Sequence, residues 1–243
     1  MTMKNDNLIT IGEAAKILNV TLMTLRRWDE SGKLAPVRKT PGGHRYYRKI
    51  DVEVLSSEMF QQAYDWVIKG TEIPNNYYCQ NSSVFNTRLI RMETEMLNDP
   101  KLKDYFSLIV SVAGEIGNNS YDHNIAHWPD IPGIFFGYEL KKNQIALADR
   151  GLGILETLKR VKPELKDFKE ALQVAFTEII SGRTPEARGN GLKYVRRVIS
   201  KGQINLFFQT GDAKLNLDAG SSELRISNAK DNFHGCLAFI SYL

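Results

Sequence analysis

The chain of 243 residues predicts an α+β architecture in two domains: a small all-α winged helix-turn-helix head, then a larger α/β sandwich. Three observations predict it. Residues 10–32 carry two short, capped, amphipathic runs separated by a tight turn. From about residue 86 onward, helical periodicity alternates with apolar runs of strand length. All of the excess positive charge lies at the start. Residues 1–55 hold 10 Lys and Arg against 6 Asp and Glu, whereas residues 56–243 hold 22 against 22.

Taken in order, Thr10 is a candidate N-cap, and Glu13 three residues on completes a capping box. Ile11, Ala14, Ala15 and Leu18 then fall on one helical face. After Asn19-Val20, Thr21 caps a second helix bearing Leu22, Leu25 and Trp28, which Gly32 stops. Two short helices joined by a tight turn form a helix-turn-helix. Gly42-Gly43, between extended residues, reads as a hairpin tip flanked by Lys39, His44, Arg45 and Arg48. Asp51 caps a further helix through Leu55, Phe60 and Trp66 to Gly70.

The stretch 70–85, rich in Asn, Ser and Tyr with Pro74, reads as a linker. The expected boundaries are therefore a head over 1–69, a linker over 70–85 and a second domain over 86–243. In that domain helices are expected at 86–98, 102–124, 154–182 and 191–200. Strands are expected at Gly133–Leu140, Gln144–Ala148, Ile204–Gln209, Ser222–Ile226 and Gly235–Leu243. Strands paired in sequence, with helices between the hairpins, place the helices on one sheet face.

Composition narrows the class. A chain that is 42% hydrophobic and 25% charged is ordinary for a globular protein. No run reaches the roughly 18 uninterrupted apolar residues of a membrane helix. The N-terminus lacks the apolar core of a secretory signal, so no membrane and a cytoplasmic location are expected. Two cysteines far apart, Cys79 and Cys236, make neither a disulfide framework nor a zinc cluster. The location of the charge excess points the head toward a polyanion.

A recognition helix needs side chains that reach phosphates and base edges from one exposed face. Thr21, Thr24, Arg26 and Arg27 supply that chemistry, and His44 and Arg45 on the hairpin supply a basic wing. Residues 9–55, with Ile11-Gly-Glu-Ala-Ala-Lys-Ile-Leu-Asn-Val, Thr24-Leu-Arg-Arg-Trp-Asp and Thr40-Pro-Gly-Gly-His-Arg-Tyr-Tyr, resemble the MerR-type winged helix. The variant looks closest to the heads of excisionases and of serine recombinases of small insertion sequences. The resemblance implies double-stranded DNA as partner, with the second helix in the major groove and the wing on the backbone.

Beyond residue 86 three boxes carry chemistry. The first is Glu115-Ile-Gly-Asn-Asn-Ser-Tyr-Asp-His, where Glu115, Asn119 and His123 share a helical face. An amide oxygen can sit among magnesium ligands, and a carboxylate one turn earlier can orient or deprotonate water. In the second, Ile145-Ala-Leu-Ala-Asp-Arg-Gly-Leu-Gly-Ile, a strand ends at Asp149 and Gly151 and Gly153 let a ligand approach the backbone. Asp149 can accept a hydrogen bond from an exocyclic amine. The third, Arg188-Gly-Asn-Gly-Leu-Lys, puts Gly189 and Gly191 before a helix, a phosphate cradle with Arg188 as a further donor.

In order and separation the three boxes resemble the GHKL superfamily, over about residues 105–243. The resemblance implies a Bergerat-type ATP site with ATP and Mg2+ as cofactors. Glu115 matches the catalytic carboxylate and Asn119 the magnesium position. Asp149, Gly151 and Gly153 match the adenine box, and Gly189 and Gly191 the second glycine box. Cys236, in Phe233-His-Gly-Cys-Leu-Ala-Phe-Ile, stands where the closing strand usually has Thr. The segment 155–190 takes the position of a lid.

The reading that follows is an ATP-responsive, DNA-binding transcriptional regulator, with slow ATP hydrolysis at Glu115 chemically open to it. Two alternatives stay open: a protein serine kinase of the anti-sigma type, and a DNA-anchored scaffold with a degenerate ATP site. A homodimer and a protein partner encoded nearby stay open as well.

Overall fold

The computed structural model describes residues 8–124, 127–178 and 191–242. The chain divides into two units, Met1–Gln61 and Gln62–Leu243, at a point within one helix.

In the first unit, strand β1 (Leu8–Thr10) runs straight into helix α1 (Ile11–Leu18), because extended Thr10 is also the helix cap. Its hydroxyl accepts the Glu13 N–H at 3.3 Å, while Glu13 Oε2 accepts the Thr10 N–H at 2.7 Å. Both halves of the capping box thus form, satisfying two backbone donors that the helix itself cannot. Asn19, at φ 50°, turns the chain out of α1 in the left-handed conformation that Asn tolerates. Helix α2 (Leu22–Glu30) starts from Thr21, whose hydroxyl accepts the Thr24 N–H at 3.1 Å.

The expected wing is strand β2 (Arg38–Lys39) paired with β3 (Arg45–Arg48), and Gly43 at φ +77° makes its tip. Strand β1 joins the free side of β3, giving the order β1-β3-β2. A head expected to be helical apart from its wing therefore carries a three-stranded sheet. Ala14, Ala15, Leu25, Leu34, Tyr47 and Val52 form its core.

The single helix expected from Asp51 to Gly70 is instead two, α3 (Lys49–Ser56) and α4 (Glu58–Lys69). Ser57 is extended at ψ 111° and its hydroxyl accepts the Phe60 N–H at 3.2 Å, so it ends one helix and caps the next. Asp51 lies in the first turn of α3, and the cap position falls on Arg48, which makes no side-chain cap bond.

The second unit is a mixed layer. Strand β4 (Tyr78–Cys79) forms inside the segment expected as a linker. After it come α5 (Ser82–Leu97), α6 (Phe106–Asn124), the hairpin β5 (Ile134–Glu139) and β6 (Gln144–Asp149), α7 (Gly153–Lys159) and α8 (Phe168–Thr177). The chain continues with α9 (Gly191–Lys201), β7 (Ile204–Thr210), β8 (Ala213–Leu217), β9 (Arg225–Asn228) and β10 (Cys236–Tyr242). Among the described residues the strands make one antiparallel sheet in the order β4-β5-β6-β10-β7-β8-β9. The last strand thus enters the middle of the sheet, and its register sets Cys236 opposite both Asp149 and Thr210.

One sheet face is covered by helices. Ile145 and Leu147 of β6, Leu206 and Phe208 of β7, and Ala238 and Ile240 of β10 bury against Val112 and Ile116 of α6, Val195 and Ile199 of α9, and Leu172 and Phe176 of α8. The helix expected over 154–182 is broken: α7 stops at Lys159, Pro163 follows, and α8 restarts when Asp167 Oδ1 accepts the Glu170 N–H at 2.8 Å. Residues 179–182 of that expectation lie outside the described residues. The strand expected from Ser222 begins at Arg225, and β8 had no expectation.

Candidate functional site

Helix α6 supplies the first wall. Glu115 and Asn119 are one turn apart and both half-buried, whereas Ile116 and Gly117 between them face the core. Gly117 is required there, because a Cβ would lie 2.2 Å from the ring of Phe85. Burial raises the Glu115 pKa above the ordinary carboxylate value, and repulsion from Asp122 adds to it. A carboxylate made more basic in this way is better suited to hold a proton taken from water.

The floor is the end of β6. Asp149 is only 2% exposed. Its Oδ2 accepts from Ser120 Oγ at 2.7 Å and its Oδ1 from the Gly151 N–H at 2.8 Å, while the Cys236 N–H also donates to it. Burial pushes the pKa of Asp149 up, and those three donors oppose the shift. The carboxylate is therefore held in one orientation while retaining acceptor capacity for a further donor.

Two further groups shape this floor. Asn124 donates from Nδ2 to the Ser120 carbonyl at 2.7 Å and accepts the Leu152 N–H on Oδ1 at 2.8 Å. It fills the space beside Gly151 so closely that a Cβ there would sit 2.1 Å from Nδ2. Thr210 Oγ1 donates to the Gly235 carbonyl at 2.8 Å and accepts the Ile154 N–H at 3.2 Å, joining β7, the β10 entry and the start of α7. Gly153, at φ +78°, belongs to this junction, because a Cβ there would meet Thr210 Oγ1 at 2.9 Å.

The third wall is the start of α9. A Cβ on Gly191 would lie 2.7 Å from Glu115 Oε2 and 3.0 Å from Asn119 Nδ2. The first and third boxes, some seventy positions apart in the chain, are thus in contact. The start of α9 thus faces a carboxylate and an amide across a gap that glycine leaves open. Arg188 and Gly189 lie outside the described residues.

These groups fit a magnesium-bound polyphosphate in kind. Among the described residues no group of three or more His, Cys, Asp or Glu could hold a metal ion. Asn119 would offer a cation one amide oxygen, and magnesium commonly takes its other ligands from phosphate and water. Ser120, Asn124, Thr210 and Gly235 were not singled out from sequence. Ser120 and Asn124 carried a signal, being next to Asn119 and one turn on. Thr210 and Gly235 carried none beyond ending a strand and preceding one.

In the head, Arg26, Arg27 and His44 are exposed. Thr21 is exposed at the start of α2, and its hydroxyl also lies 3.0 Å from that of Thr24. Arg45 has a different engagement. Its Nε donates to Asp29 Oδ2 at 2.9 Å, and Lys39 Nζ lies 2.8 Å from the same oxygen. Both strands of the wing are thereby pinned to the end of α2. These two cations hold the Asp29 carboxyl below the usual carboxylate range.

Residues 10–47 match the family model described as MerR family regulatory protein. A curated relative, the type II methyltransferase M.Eco47II of Escherichia coli, is 36% identical over 69 residues, which are 28% of this chain and 16% of that protein. The chain so spans about a sixth of that relative's length. Among solved structures, the ATPase region of Saccharomyces cerevisiae topoisomerase II is similar at 17% identity and TM-score 0.38, over 56% of this chain and 38% of that one. The 43K ATPase domain of Thermus thermophilus gyrase B, solved with an aminocoumarin, is similar at 16% identity and TM-score 0.33, over 54% and 33%. A MerR family transcriptional regulator from Bacillus cereus is similar at 22% identity and TM-score 0.19, over 49% and 85%.

Proposed function

We propose that the chain is a DNA-binding regulator whose second unit binds ATP with magnesium and whose DNA binding depends on that occupancy. One observation carries the nucleotide reading. Glu115 and Asn119 of the first box abut Gly191 of the third, and Ser120 of the first hydrogen-bonds Asp149 of the second. Burying a carboxylate is costly, and the donors on Asp149 offset that cost while leaving it room to accept one more hydrogen bond.

In this reading Asp149 accepts from the exocyclic amine of the base, while Gly151 and Gly153 leave room for Asn124 and Thr210, which brace the floor beneath it. Asn119 supplies an oxygen to magnesium, and the start of α9 faces the phosphates with its N–H groups. ATP brings a phosphoanhydride whose cleavage needs a placed water. Glu115 holds and accepts a proton from that water, which makes slow hydrolysis the expected activity. In the head, Thr21, Thr24, Arg26 and Arg27 approach the major groove and His44 the backbone, in keeping with the MerR match. Arg45 serves this by keeping the wing rigid.

Equilibrium binding of Mg-ATP to the full chain, beside Asp149→Asn, tests it. Asn turns one oxygen into an N–H donor facing Ser120, Gly151 or the ligand, all donors. Micromolar binding that weakens at least about tenfold in the variant, roughly 1.4 kcal/mol, is the expected outcome. Absence of binding at millimolar ATP would sink the nucleotide reading and leave a DNA-anchored scaffold.

A further inference from the structure

Arg150 stands between Asp149 and Gly151, yet its side chain serves another element. Its Nη1 donates to the carbonyls of Trp66 at 2.8 Å and Val67 at 2.7 Å, in the last turn of α4. The Trp66 carbonyl also accepts the Gly70 N–H at 2.9 Å, so there the guanidinium is a second donor, and the macrodipole makes this end of the helix negative. The guanidinium therefore acts as a charged C-cap supplied from far along the chain. On its other side, Nε donates to Asp130 Oδ2 at 2.9 Å and Nη2 donates to the same oxygen. Its side chain is only 12% exposed, so these bonds are little diluted by water.

The backbone around Arg150 is held equally closely. His234 Nδ1 lies 3.1 Å from the Arg150 carbonyl and 3.2 Å from that of Gly151, and its Nε2 lies 3.4 Å from Asp130 Oδ2. A second tie reaches α4 from the loop before β10. There Tyr64 Oη donates to Asp231 Oδ2, and Gln209 Nε2 donates to the Asp231 carbonyl at 2.9 Å. The two loops that frame Asp149, one after β6 and one before β10, thus each hold α4. Nothing in the ligand reading requires this.

We propose that Arg150 is a positioning residue that couples ligand occupancy beside Asp149 to the order of the last turn of α4. This regulation rests on the nucleotide reading above. No residue intervenes between the aspartate, Arg150 and the glycine, so a ligand that fixes the 149–151 backbone also fixes the root of the guanidinium. Hydrogen bonds weaken once stretched by a few tenths of an ångström, so the fork tightens or loosens its grip on the two carbonyls with that backbone. A planar fork is needed, since two carbonyls and a carboxylate are engaged at once, which a lysine ammonium reproduces poorly. Helix α4 starts at Glu58, among the residues of the first unit, and ends at Lys69.

Hydrogen exchange on the full chain, with and without Mg-ATP, tests the coupling in the wild type, Arg150→Ala and Arg150→Lys. Amides at 66–71 should exchange about fivefold or more slowly with ATP in the wild type, at the lower end of ordinary coupling. In Arg150→Ala the ATP-dependent change should vanish while ATP still binds, and Arg150→Lys should restore only part of it. A merely structural role would speed exchange equally with and without ATP and preserve the ratio, which overturns the proposal. Should Arg150→Ala fail to fold in a thermal melt, Asp130→Asn frees one side of the fork and should shrink the same ratio. An unchanged ratio there overturns the proposal. Wild-type protein that binds ATP with no change at α4 overturns the coupling alone, whereas no ATP binding overturns the coupling and the nucleotide reading together.

Discussion

At the scale of single residues, two glycines beside the candidate site separate folding from chemistry. Gly235, at φ +93°, leaves no room for a side chain: a Cβ would lie 2.0 Å from the Asp149 carbonyl oxygen, and backbone cannot yield cheaply. Among the described residues, a Cβ on Gly191 would meet first the far ends of Glu115 and Asn119, which rotate away at small cost. Gly235→Ala should therefore lower unfolding free energy by at least about 2 kcal/mol, as strain and overpacking in a core do. Gly191→Ala should melt within about 0.5 kcal/mol of wild type, yet lose ATP turnover because the carboxylate and amide are displaced. Chemical denaturation and phosphate release check both, and equal destabilisation by the two would remove the distinction. Glu115→Ala isolates the proposed proton acceptor. It should keep ATP affinity while hydrolysis falls by about a hundredfold or more, in the range of a lost general base. Unchanged turnover would take Glu115 out of that role.

At the scale of elements, the wing depends on a charge it does not itself contain. Asp29, at the end of α2, receives Lys39 from β2 and Arg45 from β3, and its carboxyl is 9% exposed. Its folded pKa lies below the reference value of 3.8, so the carboxylate contributes stability that is full above about that pH. The contribution is lost as pH falls from there through the folded value. Asp29→Asn should destabilise the head by about 1 kcal/mol at neutral pH, because the half-exposed Lys39 is screened by solvent. The gap from wild type should close below pH 3.8, and urea titrations of the full chain at neutral and acid pH would measure it. A gap that persists at acid pH would assign the effect to shape rather than charge. Salt should narrow it as well, since one partner is exposed.

At the scale of the whole molecule, the charge excess of 10 over 6 in residues 1–55 against parity beyond makes the proposed functions separable by ionic strength. DNA binding should weaken steeply with salt, because each phosphate neutralised releases counterions. Replacing Arg26 or Arg27 by Ala should reduce the magnitude of the log–log slope by about one unit. If occupancy controls the head, saturating Mg-ATP should change DNA affinity by about fivefold or more, in either direction. Fluorescence anisotropy with a duplex selected from a random pool would read both quantities. A DNA affinity indifferent to ATP would leave two independent binding modules on one chain.

Features decided within about one helical turn can be read from the residues alone. The capping box at Thr10 and Glu13, the cap at Thr21, the wing tip at Gly43 and the strand ending at Asp149 were all legible, since their partners lie three or four positions away. The three boxes stood out as candidates by residue type. Local signals also misled where a short-range competitor won: Ser57 broke a helix that periodicity ran through, and the Pro163 region broke another. Which distant groups meet follows from the fold instead. The register that sets Cys236 between Asp149 and Thr210, the burial that lifts the pKa values of Asp149 and Glu115, and the closure of Gly191 on Asn119 all arise from strand order and helix packing. The same holds for Arg45 on Asp29 and for Arg150 on α4, which no spacing announces. Pairing across many residues is set by which apolar faces can be buried together, and that sum is taken over the whole fold rather than along the chain.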